Sequence, residues 1–100
     1  MKTKIDGILV EWDDEKNKAN QLKHHISFQT AARVFNDDNR VEIPDDAHSV
    51  YEDRYIAIGR VNNILFVVYT ERCDYIRIIS ARLATARERK FYYDSQNVYP

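Results

Sequence analysis

Tyr75-Ile-Arg-Ile-Ile-Ser-Ala-Arg-Leu-Ala-Thr-Ala-Arg-Glu-Arg-Lys90 decides how this chain folds. An apolar, β-branched run carries Arg77 in its middle and Arg82 where it ends, and a helix start bearing Arg87 and Arg89 follows at once. Guanidinium groups cost too much to desolvate to sit in a core-forming strand without a partner. Their planar donors suit carboxylate and phosphate oxygens. The segment therefore predicts a strand over Tyr75–Ala81 and a helix that starts at the capping box Thr85-Ala-Arg-Glu88 and reaches Asp94. An anion-binding surface sits at their junction.

Upstream, the apolar period is 2. Ile64 to Thr70 is apolar on both faces, as a central strand requires. Arg54 to Gly59 alternates Ile56 and Ile58 with Tyr55 and Ala57, and Val61-Asn62-Asn63 supplies a hairpin turn. Glu71-Arg72-Cys73-Asp74 makes the next turn, and Val41 to Ile43 is a short strand stopped by Pro44-Asp45-Asp46. Nearer the N-terminus, Ile8, Val10 and Trp12 alternate within one β-element over Ile5–Trp12. Asp13 or Asp14 caps a polar helix over Glu15–His24, whose narrow buried stripe falls to Ala19 and Leu22. Ser27 caps a second helix through Val34, with Phe28, Ala31, Ala32 and Phe35 on one face. The order is β-α-α-β-β-β-β-α. Strands and helices cluster, so the expected class is α+β: an antiparallel meander of about four strands, two N-terminal helices and one C-terminal helix.

The 100 residues, 44% of them hydrophobic, suit one domain over 1–100 with one core, its last residues 95–100 frayed. No apolar run approaches the roughly 18 residues of a membrane span, and Met-Lys-Thr-Lys-Ile-Asp lacks a signal-peptide h-region. A single cysteine, Cys73, excludes an internal disulfide and fits a reducing cytoplasm. Charge is uneven. Residues 1–53 hold seven Lys/Arg against twelve Asp/Glu, a net of −5, and residues 54–100 hold eight against four, a net of +4. Such asymmetry points the second half toward a polyanion or an acidic partner.

Arg77 alternates with Ile76 and Ile78, and Arg82, five residues on, falls on the opposite face of a regular strand. Bringing the two together would take a bulge or a strand end near Ser80, a point the sequence leaves open. Arg54, opening an adjacent strand, adds a third guanidinium. The bland alternative pairs Arg77 with Glu52, Glu71 or Glu88 as a structural salt bridge. Glu52 and His48, close to Arg54, are candidates for general acid and base. Tyr92 and Tyr93 either donate to a phosphate or stack on a base, or else cover the sheet. His24, His25 and His48 with Asp45 and Asp46 match no ligand spacing, so no metal is expected. No Gly-rich phosphate loop, Gly-x-Ser-x-Gly or HExxH motif is present.

With those residues assembled, the chain resembles the BrnT family of small bacterial toxins, which share a RelE-like ribonuclease fold. The likeness runs through Glu11-Trp-Asp13, Asn20-Gln-Leu-Lys-His24, Ser27-Phe28, Val34-Phe35-Asn-Asp37 and His48-Ser-Val-Tyr-Glu-Asp-Arg54. It is most specific in Val68-Tyr-Thr-Glu-Arg72, Ile76-Arg-Ile-Ile-Ser-Ala-Arg82, Ala84-Thr-Ala-Arg-Glu-Arg89 and Tyr92. Glycine is usual in the family where this chain has His25 and Cys73. The resemblance implies the toxin of a type II toxin–antitoxin module that cleaves RNA and arrests translation. It also implies neutralisation by a BrnA-like ribbon-helix-helix antitoxin, with the complex binding operator DNA, and no metal or organic cofactor. Carried over by position, Arg54, Arg77 and Arg82 lead the catalytic set, with Glu52, His48 and Tyr92 behind them. Arg72, Arg87, Arg89 and Lys90 make up the remaining basic surface for RNA. Two other classes use the same arginine face: a module that grips nucleic acid without cutting it, and an interaction protein that docks an acidic chain.

Overall fold

The computed structural model describes residues 1–96. Its first two strands, β1 (Lys2–Ile5) and β2 (Ile8–Glu11), form an antiparallel hairpin. Asp6 (φ 49°) and Gly7 (φ 87°) both take the left-handed conformation that a type I′ turn demands. β2 lies parallel to β6 (Tyr75–Leu83), pairing Val10 with Ile76 and Glu11 with Arg77. Beyond β6 come β5 (Asn63–Arg72), β4 (Tyr55–Val61) and β3 (Val41–Pro44), all antiparallel, in the sheet order β1-β2-β6-β5-β4-β3. The expected meander is present as β3–β6. The sheet is nevertheless six-stranded and mixed rather than a four-stranded antiparallel one, because the single N-terminal element is in fact a hairpin.

Among the described residues, three α-helices complete the α+β fold. Asp13 caps α1 (Asp14–His24) by accepting from the amides of Glu15 and Lys16. Ser27 caps α2 (Phe28–Ala32), shorter than the span expected through Val34, and the chain tightens into a 3₁₀ turn over Arg33–Asn36. That turn sits hard against Gly59, where an added Cβ would meet Val34 Cγ2 at 2.8 Å. Thr85 and Glu88 form the full capping box of α3 (Ala86–Asp94). At the start of the tail expected to fray, Gln96 Nε2 donates to the carbonyls of Asn39 (2.8 Å) and Tyr92 (2.9 Å). Residues 97–100 lie outside the described residues.

The helical stripe expected on α1 is also corrected. Ala19 is exposed and Leu22 is 82% exposed, whereas Asn17 and Asn20 are buried. Asn20 donates from Nδ2 to the carbonyls of Ala81 (2.8 Å) and Ile26 (2.9 Å) and accepts at Oδ1 from Ala81 N–H (3.1 Å). Asn17 Oδ1 accepts from Phe28 N–H at 2.8 Å. A polar helix therefore docks by amides, because its neighbour is an unsatisfied strand edge as well as an apolar face.

Strand parity separates two clusters. Val10, Leu65, Val67, Tyr69, Ile78 and Ala81 point toward Phe28, Ala31 and Val34. Ile58, Ile64, Ala84 and Tyr92, with Ile56 and Phe66, gather under α3 on the opposite face. α3 covers only one end of that second face.

Two substitutions test these contacts with opposite signs. Asn20→Ala strips partners from the buried Ala81 and Ile26 groups and should cost about 2–4 kcal/mol. His25 caps α1 in the left-handed region (φ 60°), so His25→Gly should stabilise by about 0.5–1 kcal/mol. Denaturant-unfolding midpoints read both; an unchanged midpoint for Asn20→Ala would show that the amide clamp does not stabilise the fold.

Candidate active site

The open part of the second face forms a cleft of about 360 Å³. Ile56 of β4, Phe66 and Val68 of β5, and Ile79 of β6 make its apolar floor. Arg54, Arg82, Ser80, His48 and Asp45 stand around the rim. Arg82 arrives there because β6 bulges: Val68 pairs with Ser80 but Tyr69 pairs with Ile78, leaving Ile79 without a partner. The extra residue flips the parity, so Arg77 and Arg82 lie opposite Thr70 and Phe66, which share one face of β5.

Sharing a face does not bring the two arginines together. Arg77 Nη1 meets Glu11 Oε2 at 3.2 Å, with Glu11 on the neighbouring parallel strand and mostly buried. The sequence offered Glu52, Glu71 and Glu88 as partners for Arg77; the hairpin supplies Glu11 instead, and Arg77 lines neither the cleft nor the cavity that adjoins it.

Arg82 is held more firmly. Its Nη1 and Nη2 donate to both oxygens of Glu88 at 2.7 and 3.0 Å, Nη1 also donates to the Leu83 carbonyl, and the guanidinium lies 3.9 Å over the Phe66 ring. Three of its five N–H donors are thereby used. The two that remain, on Nε and Nη2, form the side-on fork that suits two oxygens of a phosphate. Glu88 is thus both the third-position member of the α3 capping box, accepting from Thr85 N–H, and the anchor of Arg82. Hydrogen bonds from Arg82 are the main cause of its carboxyl lying below the usual range, against the opposing effect of burial.

Arg54 contrasts with both. Its backbone is fixed, N–H donating to Ser49 Oγ and C=O accepting from Asp45 N–H. Its guanidinium has no hydrogen-bond or ion-pair partner among the described residues. His48 Nδ1 lies 3.1 Å from both oxygens of Asp45, which assigns the Nδ1 proton to that contact and leaves Nε2 the free nitrogen. Asp45, which the sequence marks only as part of a strand-ending turn and of an unmatched metal set, is therefore the orienting partner of His48; their spacing of three was the available signal.

The remaining candidates are dispersed. Glu52 lines an adjoining cavity with His48 and Arg54 and lies 3.5 Å from Arg72. Tyr92 is buried at the far end of the face, its hydroxyl donating to Asp37 Oδ2 at 2.6 Å, and burial together with that bond pushes its pKa up to about 12. It covers the sheet and stands outside the cleft. Arg87 is exposed on α3, Arg89 folds back on the Ala84 carbonyl, and Lys90 pairs with Asp94. Among the described residues, no three His, Cys, Asp or Glu side chains gather to hold a metal ion. Among the described residues, no helix is long and apolar enough to cross a membrane.

Fold and cleft together define a small α+β domain with an arginine-rimmed, apolar-floored cleft. Residues 12–88 match the family described as ribonuclease toxin, BrnT, of type II toxin–antitoxin system. The chain belongs to that family. Its structure is similar to the crystal structure of the Brucella abortus ribonuclease toxin BrnT, with a TM-score of 0.62 and 26% sequence identity over 76% of this chain and 95% of that one. No curated protein matches the chain. Membership implies an RNA substrate and an antitoxin partner.

The Arg82–Glu88 fork generates a pH prediction. A carboxyl held below its unfolded value contributes stability that is complete above that value and is lost as pH falls through the lowered one. Glu88→Gln should therefore be less stable than wild type at neutral pH, with the difference shrinking in acid, below the usual carboxylate range. Unfolding midpoints at neutral and acid pH check this; a gap that persists in acid would assign the loss to the cap alone.

Proposed function

We propose that the chain is a metal-independent endoribonuclease that cuts RNA by attack of a ribose 2′-hydroxyl on the adjacent phosphate. The observation that carries this is the meeting of Arg54, Arg82 and the Asp45-oriented His48 around one apolar-floored cleft. In that reaction negative charge gathers on the phosphoryl oxygens. Arginines fixed toward those oxygens stabilise the transition state more than the ground state. His48 takes the 2′-proton through Nε2, the 2′-oxygen bonds to phosphorus and the bond to the 5′-oxygen breaks. The leaving 5′-oxygen takes up a proton from solvent, relayed through Glu52 in the adjoining cavity. The products are a 2′,3′-cyclic phosphate and a 5′-hydroxyl. DNA, lacking the 2′-hydroxyl, is not a substrate.

Arg77 enters as a brace between β2 and β6 and Tyr92 as a cover of the sheet, each acting on the cleft through the fold. Arg72, Arg87, Arg89 and Lys90 extend a basic surface along which the RNA backbone tracks. As a type II toxin, the protein acts in the cytoplasm and arrests translation by destroying RNA. A ribbon-helix-helix antitoxin neutralises it, and the complex binds operator DNA.

Cleavage of RNA by the purified chain in excess EDTA tests this. Metal-independent cutting that leaves 2′,3′-cyclic phosphate ends is expected, with Arg54→Ala and Arg82→Ala each slower by about 10²–10³. Salt-sensitive RNA binding by a folded chain that yields no product would replace the enzyme with a binding module.

A further inference from the structure

We infer that the loop between β3 and β4 holds a nucleobase-stacking site beside the phosphate cleft, with Tyr51 as its platform. Tyr51 is 99% exposed and its neighbour Val50 is 74% exposed. Neither contributes appreciably to the core, yet both stand at the edge of an arginine-lined cavity.

The loop that carries them is clamped. Asp45 N–H donates to the Arg54 carbonyl at 2.8 Å, closing its base. Ser49 Oγ donates to the Asp45 carbonyl at 2.8 Å and accepts from Arg54 N–H at 2.9 Å, so one hydroxyl ties both ends. Thr70 Oγ1 on β5 donates to the Asp53 carbonyl at 2.7 Å, pinning the loop to the sheet. The backbone beneath Tyr51 is therefore fixed, and stacking on a ligand has only the two torsions of its side chain left to order.

A cavity of about 300 Å³ lies against this tip, walled by Tyr51, Val50 and Ala47 and by His48 and Arg54. The last two also line the phosphate cleft, so the cavities share a wall. An RNA strand with a phosphate at Arg54 carries a flanking base into the second cavity. Every base has a π-face to lay on a tyrosine ring, so the occupant is an unpaired nucleobase of single-stranded RNA.

This inference rests on the ribonuclease reading and adds to it a demand for an unstacked base. The test uses the full chain, a short single-stranded RNA, and the same RNA with an abasic nucleotide beside the cut. Tyr51→Ala should raise KM about 10- to 100-fold while kcat carries little of the loss, and Tyr51→Phe should restore KM. The abasic RNA should penalise wild type and Tyr51→Phe but not Tyr51→Ala. An unchanged KM for Tyr51→Ala, or an abasic penalty that survives it, overturns the stacking site while RNA cutting stands. A folded wild type that cuts no RNA overturns the ribonuclease reading, and the stacking site falls with it.

Discussion

The cleft hangs from β6, and the edge of β6 is held by one side-chain amide. β2 pairs with β6 only at Ile76 and Arg77. Further along, the Ala81 N–H and C=O face away from β5, and Asn20 supplies the matching acceptor and donor. Ala81 immediately precedes Arg82, so the amide fixes the backbone from which the rim arginine springs. Two buried backbone groups left unpaired would cost about 1–3 kcal/mol each. That exceeds what the short apolar surface of α1 can return, since Ala19 and Leu22 are exposed. The helix docks by polarity because satisfying those two groups stabilises the fold more than its apolar contacts do.

The same amide joins distant parts of the chain. Asn20 also binds the Ile26 carbonyl, and Asn17 receives Phe28 N–H, so α1 holds the start of α2 while it holds β6. Phe28 is fully buried and meets Trp12 edge to face at 6.4 Å. Trp12 in turn accepts a bond at its carbonyl from the chain's own N-terminal ammonium. Hairpin, helices and central strand thus meet around β6, leaving its other face free for the cleft.

Much of this is legible from residue types, and the failures share a cause. The capping box at Thr85, the Ser27 cap and the strand meander follow from local chemistry, which makes them readable in sequence. The first hairpin is also announced, by Asp6-Gly7, but two short strands lacking a strong period merge across it into one element. The polar face of α1 is not readable, because asparagines mark buried contacts only once the edge they serve is known. In the cleft, residue identity points to Arg54, Arg82 and His48, whereas their company depends on the bulge at Ile79 and on the Asp45–Arg54 loop closure. Nothing local distinguishes Arg77, bound to Glu11 across sixty-six residues of sequence separation, from Arg82.

The two rim arginines differ in what they bring to the proposed reaction. Arg82 is neutralised by Glu88, so the pair exerts little attraction beyond contact distance. Arg54 has no ion-pair partner among the described residues, although Asp45 and Glu52 line the same cavities; at about 4 Å and an effective dielectric of about 20, one guanidinium charge attracts a phosphate by about 4 kcal/mol. Charge therefore comes from Arg54 and geometry from Arg82, whose Glu88 contact and Phe66 stack hold its side-on fork before substrate arrives. A paired arginine loses less rotamer freedom on binding, and an unpaired one loses no partner. An apolar floor beneath both removes water from one side of the oxygens they address, which strengthens the arrangement over two arginines on a flat polar surface.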